Sequence, residues 1–155
     1  MTTDALERSG LRLELGSWED LRRAAEPVRR AVFIHEQGCS EESEWDELDA
    51  VSLHCVAYRG DQAVGTGRLL PEFRIGRMAV VTAHRRRGIA SLILERLVAV
   101  AAERGARTVV LHAQVAVLDF YLRHGFAAEG EEFLEEGIVH LLMRRALNPD
   151  GEDRS

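Results

Sequence analysis

Three consecutive arginines, Arg85-Arg86-Arg87, stand directly before Gly88, Ile89 and Ala90. The first turn of an α-helix carries four N–H groups without an intrahelical acceptor, and the helix dipole adds partial positive charge there. A helix that starts at Gly88 therefore offers a phosphate site. Gly88 lets backbone approach a ligand closely, Ala90 is too small to obstruct it, and arginines add charge-assisted contacts. The run is neither a Walker A loop, which needs a lysine and a Ser/Thr, nor a G-x-G-x-x-G turn. Taken alone it fits a solvated loop and helix cap as well as an anion site.

All 20 basic residues are arginine. Without lysine there is no Schiff-base lysine, no Walker A lysine and no lysine general base. The net charge of −6 argues against general nucleic-acid binding, which wants a basic face. A second charged stretch is acidic. From Ala31 to Tyr58 there is no arginine, while Glu36, Glu41, Glu42, Glu44, Asp46, Glu47 and Asp49 all fall there. Opposed patches suit one cationic and one anionic ligand; the plainer reading is two solvated loops.

Metal chemistry is not expected. His35-Glu36 is no zinc motif, because position 39 is Cys rather than a second His. Cys39, Cys55 and His54 lack ligand spacing, and Cys55 reads as a small core residue. Two cysteines make no disulfide framework, no apolar run is long enough to cross a bilayer, and the first ten residues lack an apolar leader. These features predict a cytoplasmic protein with no membrane contact.

The elements that must position the turn follow from periodicity. Leu11–Leu15 alternates as a strand, and Ser17 caps a helical segment from Trp18 to about His35, which Pro27 divides into two. Residues 38–51 read as an acidic loop. Leu53–Tyr58 and Gln62–Leu70 form a hairpin around Arg59-Gly60-Asp61, and Arg74–Val81 is a further strand. From Gly88, the residues Ile89, Leu92, Ile93, Leu97, Val100 and Ala101 share one helical face, closed by Gly105. Thr108–His112 is a buried strand and Val117–His124 a second helix. Phe126–Phe133 and Gly137–Arg144 make a closing hairpin. The order β-α-α-β-β-β-α-β-α-β-β predicts an α/β fold with a mixed central sheet flanked by helices. One domain is expected over 1–147, with a polar tail over 148–155.

In that context the chain resembles the GNAT superfamily of acyl-CoA-dependent N-acyltransferases. Arg85, Gly88 and Ala90 match its Gln/Arg-x-x-Gly-x-Gly/Ala signature. Arg77–Val81 matches its central strand, and Phe120-Tyr121 with Gly125-Phe126 its Phe-Tyr-x-x-x-Gly-Phe element. Residues 32–37, 46–49, Ser52, His54 and His112-Ala113-Gln114 resemble the ElaA-like branch.

The resemblance implies acetyl-CoA as cosubstrate. The coenzyme A pyrophosphate would rest on the turn Arg85, Arg86, Arg87, Gly88, Ile89, Ala90, with Ser91 close behind. The pantetheine arm would add to the backbone of Met78, Ala79 and Val80 like a strand, and a backbone N–H there would polarise the thioester carbonyl. Gln114, where many members carry Asn, would hold cofactor or water. Tyr121 would be the general acid for the departing thiolate; otherwise it is a core aromatic beside Phe120 and Phe126. The acceptor would be a primary amine of a small molecule or peptide, attacking directly in a ternary complex. Its proton would go to Glu36, His54 or His112, directly or through water, unless these are structural polar residues. The protein would act as a monomer or homodimer. The alternative is a non-catalytic acyl-CoA-binding regulatory module, against which Tyr121 at motif spacing argues.

Overall fold

The computed structural model describes residues 10–147; segments 1–9 and 148–155, and the readings made of both chain ends, lie outside the described residues. Strand β1 (Leu11–Gly16) leads into helix α1 (Trp18–Arg29). The Ser17 hydroxyl oxygen accepts the Asp20 N–H at 3.1 Å, and Glu19 and Asp20 face the positive end of the helix dipole.

Sequence pattern expects two helices separated at Pro27. Instead α1 passes through Pro27, and Arg30–Glu36 continues as a wider π-helical turn. Proline has no N–H to offer the Arg23 carbonyl, yet the chain does not break. A single buried stripe, Leu21, Ala25, Val28, Val32 and Phe33, holds the whole segment on the sheet. The expected acidic loop is also partly ordered. It contains the short helix α2 (Glu41–Glu44) and a 3-10 turn (Glu47–Val51), whose start is capped by Asp46 accepting the Leu48 N–H.

Then come β2 (Leu53–Arg59), β3 (Gln62–Leu69), β4 (Arg74–Val80), α3 (Ile89–Glu103), β5 (Thr108–Gln114), α4 (Leu118–Arg123), β6 (Ala127–Glu135) and β7 (Ile138–Ala146). From β2 onward the predicted order of elements is the observed one. The seven strands form one mixed sheet in the order β1-β2-β3-β4-β5-β7-β6. Among the described strands only β4 and β5 are parallel, joined by the α3 crossover.

Each face of the sheet carries its own core. On one, Ile89, Ile93, Leu94, Leu97 and Ala101 of α3 pack on Ile75, Val109, Leu111, Ala113 and Met143. On the other, the α1 segment packs on Val56 and Ala79. Gly67 is what lets α3 settle on β3. A Cβ there would lie 2.7 Å from the Met78 sulfur and 2.9 Å from Ile93 Cγ2.

Two irregularities shape the centre of the sheet. The β3–β4 register passes from Thr66↔Ala79 to Arg68↔Gly76, so β4 holds one extra residue there. Arg77, inside that bulge, has φ of 50°. Strands β4 and β5 then pair only at Arg74↔Val110 and Ile75↔Leu111. Beyond these two pairs they separate. Gly76–Val80 and His112–Gln114 thus border a wedge that opens toward the C-terminal ends of both strands, where ligands bind in open α/β sheets.

Candidate active site

The basic turn stands beside this wedge. After β4 the chain makes a 3-10 turn at Thr82–His84, then Arg86 and Gly88 take left-handed conformations with φ of 65° and 80°. Among the described residues no side chain caps α3, and the helical bonding begins with Leu92 N–H to Gly88 O at 3.1 Å. The N–H groups of Gly88 to Ser91 therefore face outward from the helix start, next to two left-handed backbone units, an arrangement that receives anions.

The three arginines are not equivalent. Arg86 and Arg87 are exposed, and neither forms an ion pair among the described residues. Arg85 is turned inward. Its guanidinium grips both Glu36 oxygens, at 2.8 and 2.6 Å, and its Nε donates to Val80 O at 2.8 Å. All three are expected at a phosphate from the sequence; here Arg85 is bonded to Glu36 and Val80. Arg85 serves instead as a latch from the turn to the end of the α1 segment and to β4.

Met78 packs with the α3-side core, Ala79 with Val28, Val32 and Phe33 on the α1 side, and Val80 is buried. Side chains alternate between the faces, so only backbone lines the wedge edge of β4. Tyr121 lies on α4, on the α3 side. Its ring meets Phe120 at 5.0 Å and Phe126 at 6.2 Å, both edge-to-face. Burial pushes its phenol up to about 12. The group is thus held protonated, and its hydroxyl has no hydrogen-bond partner among the described residues.

On the α1 side, β5 presents Val110, His112 and Gln114, the half-exposed half of its alternation. His112 Nδ1 stands 3.0 Å from Glu135 Oε1, and its ring meets Phe133 edge-on at 5.2 Å. Gln114 and Gln37 exchange side-chain amide bonds at 3.1 and 3.4 Å, tying the end of the α1 segment to the end of β5. Acid and base candidates thus stand on opposite faces, with the wedge between them. Sequence reasoning missed Glu135 and Gln37, because nothing local marks contacts across 23 and 77 residues.

The other two base candidates are otherwise engaged. Glu36 is held below the usual carboxylate range by the Arg85 hydrogen bonds. His54 is 1% exposed, with Nε2 2.9 Å from Asp49 O and its ring 4.8 Å from Trp18. Burial lowers its imidazole below the ordinary value.

The acidic stretch has arginines after all, from elsewhere in the chain. Arg29 from α1 binds Glu44 at 2.7 Å and Asp49 at 2.8 Å. Arg68 from β3 binds Asp49 at 2.7 Å and Asp46 at 2.8 Å, and Arg77 from the β4 bulge reaches Asp46 at 3.2 Å. Three cations meet three carboxylates, mostly out of water. Burial raises the Glu44 carboxyl despite Arg29 and Arg77. For Asp46 burial also pushes upward, but Arg68 and Arg77 outweigh it and the carboxyl is lowered. An open cavity of about 460 Å³ lies on the outer side, between Trp18 and Trp45. None of the predicted cofactor residues lines it, so cavity size is no guide to the chemistry here. Among the described residues, no group of three His, Cys, Asp or Glu is placed to hold a metal, and no helix is long and apolar enough to cross a membrane.

An uncapped helix start after the central strand, a bulge in that strand and a parallel pair splayed into a wedge define an acyl-CoA-utilising fold. The chain belongs to the GNAT acetyltransferase family: the acetyltransferase (GNAT) domain profile matches residues 21–147. It is 39% identical over 122 residues to the uncharacterized N-acetyltransferase YjcF of Bacillus subtilis strain 168, covering 76% of this chain and 87% of that one. An acyl-CoA N-acyltransferase from Pseudomonas aeruginosa superposes with a TM-score of 0.78 at 34% identity, over 88% of this chain and 99% of that one. Escherichia coli ElaA superposes with a TM-score of 0.78 at 25% identity, over 86% and 99%. Family membership makes the protein an acyltransferase that draws on acyl-CoA.

Proposed function

We propose that the protein transfers an acetyl group from acetyl-CoA to a primary amine of a small molecule or peptide, by direct attack within a ternary complex. The observation that carries this reading is the wedge between β4 and β5, open beside an uncapped α3 and flanked by Tyr121 and His112 on opposite faces. The pyrophosphate lies on the N–H groups of Gly88 to Ser91, with Arg86 and Arg87 closing over it. The pantetheine arm runs along the backbone of Met78 to Val80.

The amine nitrogen attacks the thioester carbonyl, forming the C–N bond as the C–S bond breaks. A free primary amine has a pKa near ~10, so a proton must leave it. His112 takes this proton; Glu36 is committed to Arg85, and His54 is buried against Asp49. The thiolate leaves toward Tyr121. With the phenol at about 12 and a thiol near ~8.5, full proton transfer is uphill, so Tyr121 acts mainly as a hydrogen-bond donor to the sulfur.

Wild type and Tyr121→Phe, given acetyl-CoA and a panel of amines, test this by release of free thiol and mass spectrometry of the products. The reading expects equimolar acetylated amine and coenzyme A, with activity rising above neutral pH. Tyr121→Phe should lower kcat by about 10²-fold while coenzyme A affinity is kept. A kcat within twofold of wild type removes Tyr121 from the mechanism. Binding of coenzyme A without turnover on any amine would favour a regulatory acyl-CoA-binding module.

A further inference from the structure

Behind the first turn of α3 runs a chain of polar groups that the mechanism above does not use. Ser91 Oγ lies 2.9 Å from His124 Nε2, and His124 Nδ1 lies 2.6 Å from Glu95 Oε2. Arg145 of β7 holds the same Glu95 oxygen at 3.0 Å. The Phe120 ring covers the imidazole at 4.9 Å. The four polar groups come from α3, the C-cap of α4 and β7, so their meeting is a product of the fold. The charged group facing the ring is Glu95 from α3, with Arg145 from β7 behind it. On the helix that the ring's residue caps stand Asp119, Tyr121 and Arg123.

The donor and acceptor inventory of this chain is tightly constrained. A carboxylate only accepts, so His124 Nδ1–H must donate to Glu95. The other nitrogen then has two options. In a neutral ring Nε2 is an acceptor, and the Ser91 hydroxyl must donate to it. Ser91 then shows an anion only oxygen lone pairs. In an imidazolium Nε2–H donates to Ser91 Oγ, and the serine proton is free to turn outward to a phosphate oxygen. The cation also stands one hydrogen bond behind the anion.

We propose that Glu95 and His124 are positioning residues for the cofactor's phosphates, acting through Ser91, and that coenzyme A binding draws one proton from solvent onto His124. This rests on the proposed seating of the pyrophosphate at the Gly88–Ser91 turn. The proton balance is simple: solvent supplies one proton to Nε2, the Ser91 O–H reorients, and no covalent bond other than N–H changes. By linkage, affinity for coenzyme A rises as the ring protonates, and ligand raises the ring's hold on its proton by the same factor.

The test is calorimetric titration of the full chain with coenzyme A at pH 7.5, in buffers of differing ionisation enthalpy. The slope of the observed heat gives protons taken up per ligand. Wild type should take up more than His124→Gln, the difference being a measurable fraction of one proton, and pantetheine, which lacks phosphate, should show no such difference. His124→Gln keeps a polar group near the Nε2 position but cannot take a proton; its affinity should fall roughly five- to thirty-fold. In wild type alone, ¹⁵N spectra of the ring should pass to the imidazolium pattern on adding coenzyme A, a readout that survives even if the variant does not fold. Equal proton uptake in wild type and His124→Gln, or an unchanged ring, would overturn the relay while leaving the cofactor site intact. No binding of coenzyme A to wild type would overturn both. A covalent fluorophosphonate adduct on Ser91 would mark a nucleophile rather than a positioned donor, and would also overturn the assignment.

Discussion

The acidic stretch Glu36–Asp49 and the basic run His84–Arg87 have opposite signs on the chain and opposite fates in the fold. Glu44, Asp46 and Asp49 are met by Arg29, Arg68 and Arg77, and Glu41 is met by Arg30. Little acidic field is left to attract an ammonium ion. The basic run loses one guanidinium to Glu36, but Arg86 and Arg87 stay open beside unbonded helix N–H groups. Charge density along a sequence therefore does not measure charge available to a ligand. What decides is whether distant residues supply counterions, and whether backbone nearby is already satisfied.

If this comparison holds, the two regions should fail differently. Arg29→Met leaves buried Glu44 and Asp49 short of a partner, and should cost about 3–5 kcal/mol in a denaturant melt. Arg87→Ala should leave the same melt within about 0.5 kcal/mol of wild type. Equal, small losses in both would mean the acidic network is not structural. In coenzyme A titrations the order reverses. Arg86→Ala and Arg87→Ala should each weaken binding roughly three- to tenfold and reduce its salt dependence. Unchanged affinity in both would return the basic run to plain surface.

The smallest effects sharpen the contrast. Glu42→Gln and Glu47→Gln should leave KM for the best amine, and its salt dependence, as in wild type. A clear rise in KM would restore an attracting role to the acidic stretch. The Arg85–Glu36 latch should be insensitive to pH over the working range. The Glu36 carboxyl is depressed from its ordinary 4.5 by the Arg85 hydrogen bonds. Its contribution is therefore fully present above about 4.5 and lost as pH falls through the lower folded value. The stability difference between wild type and Glu36→Gln should be flat from pH 5 to 8 and shrink in more acid solution; a difference that changes near pH 7 would point to another group.

Much of the frame was legible because it is local. Ser17 capping, the one-faced apolar pattern of α3 from Ile89 to Ala101 and the two hairpins are short-range signals, and the order of elements followed from them. Pattern alone breaks the helix at Pro27, but tertiary burial of Val28, Val32 and Phe33 outweighs one missing N–H. The turn at Gly88 could be read from residue types. The wedge could not, since strand splaying depends on where the β4–β5 pairing stops. The partners that define the site's electrostatics, Arg85 with Glu36, His112 with Glu135 and Gln114 with Gln37, are contacts between segments far apart in sequence. No spacing rule reaches them.

The central claim is that the open turn before α3, and not the neutralised acidic stretch, holds the cofactor's phosphates. The most direct test is calorimetric titration of wild type and Gly88→Asp with coenzyme A. Gly88 has φ of 80°, and a Cβ there meets nothing within 4 Å, so an aspartate carries its charge into open space at the phosphate's expected place. The backbone strain of a left-handed aspartate is modest, so the fold should survive by circular dichroism. Wild type should bind one coenzyme A per chain, and Gly88→Asp should bind it at least about 10²-fold more weakly. Unchanged affinity in a folded Gly88→Asp protein would contradict the account.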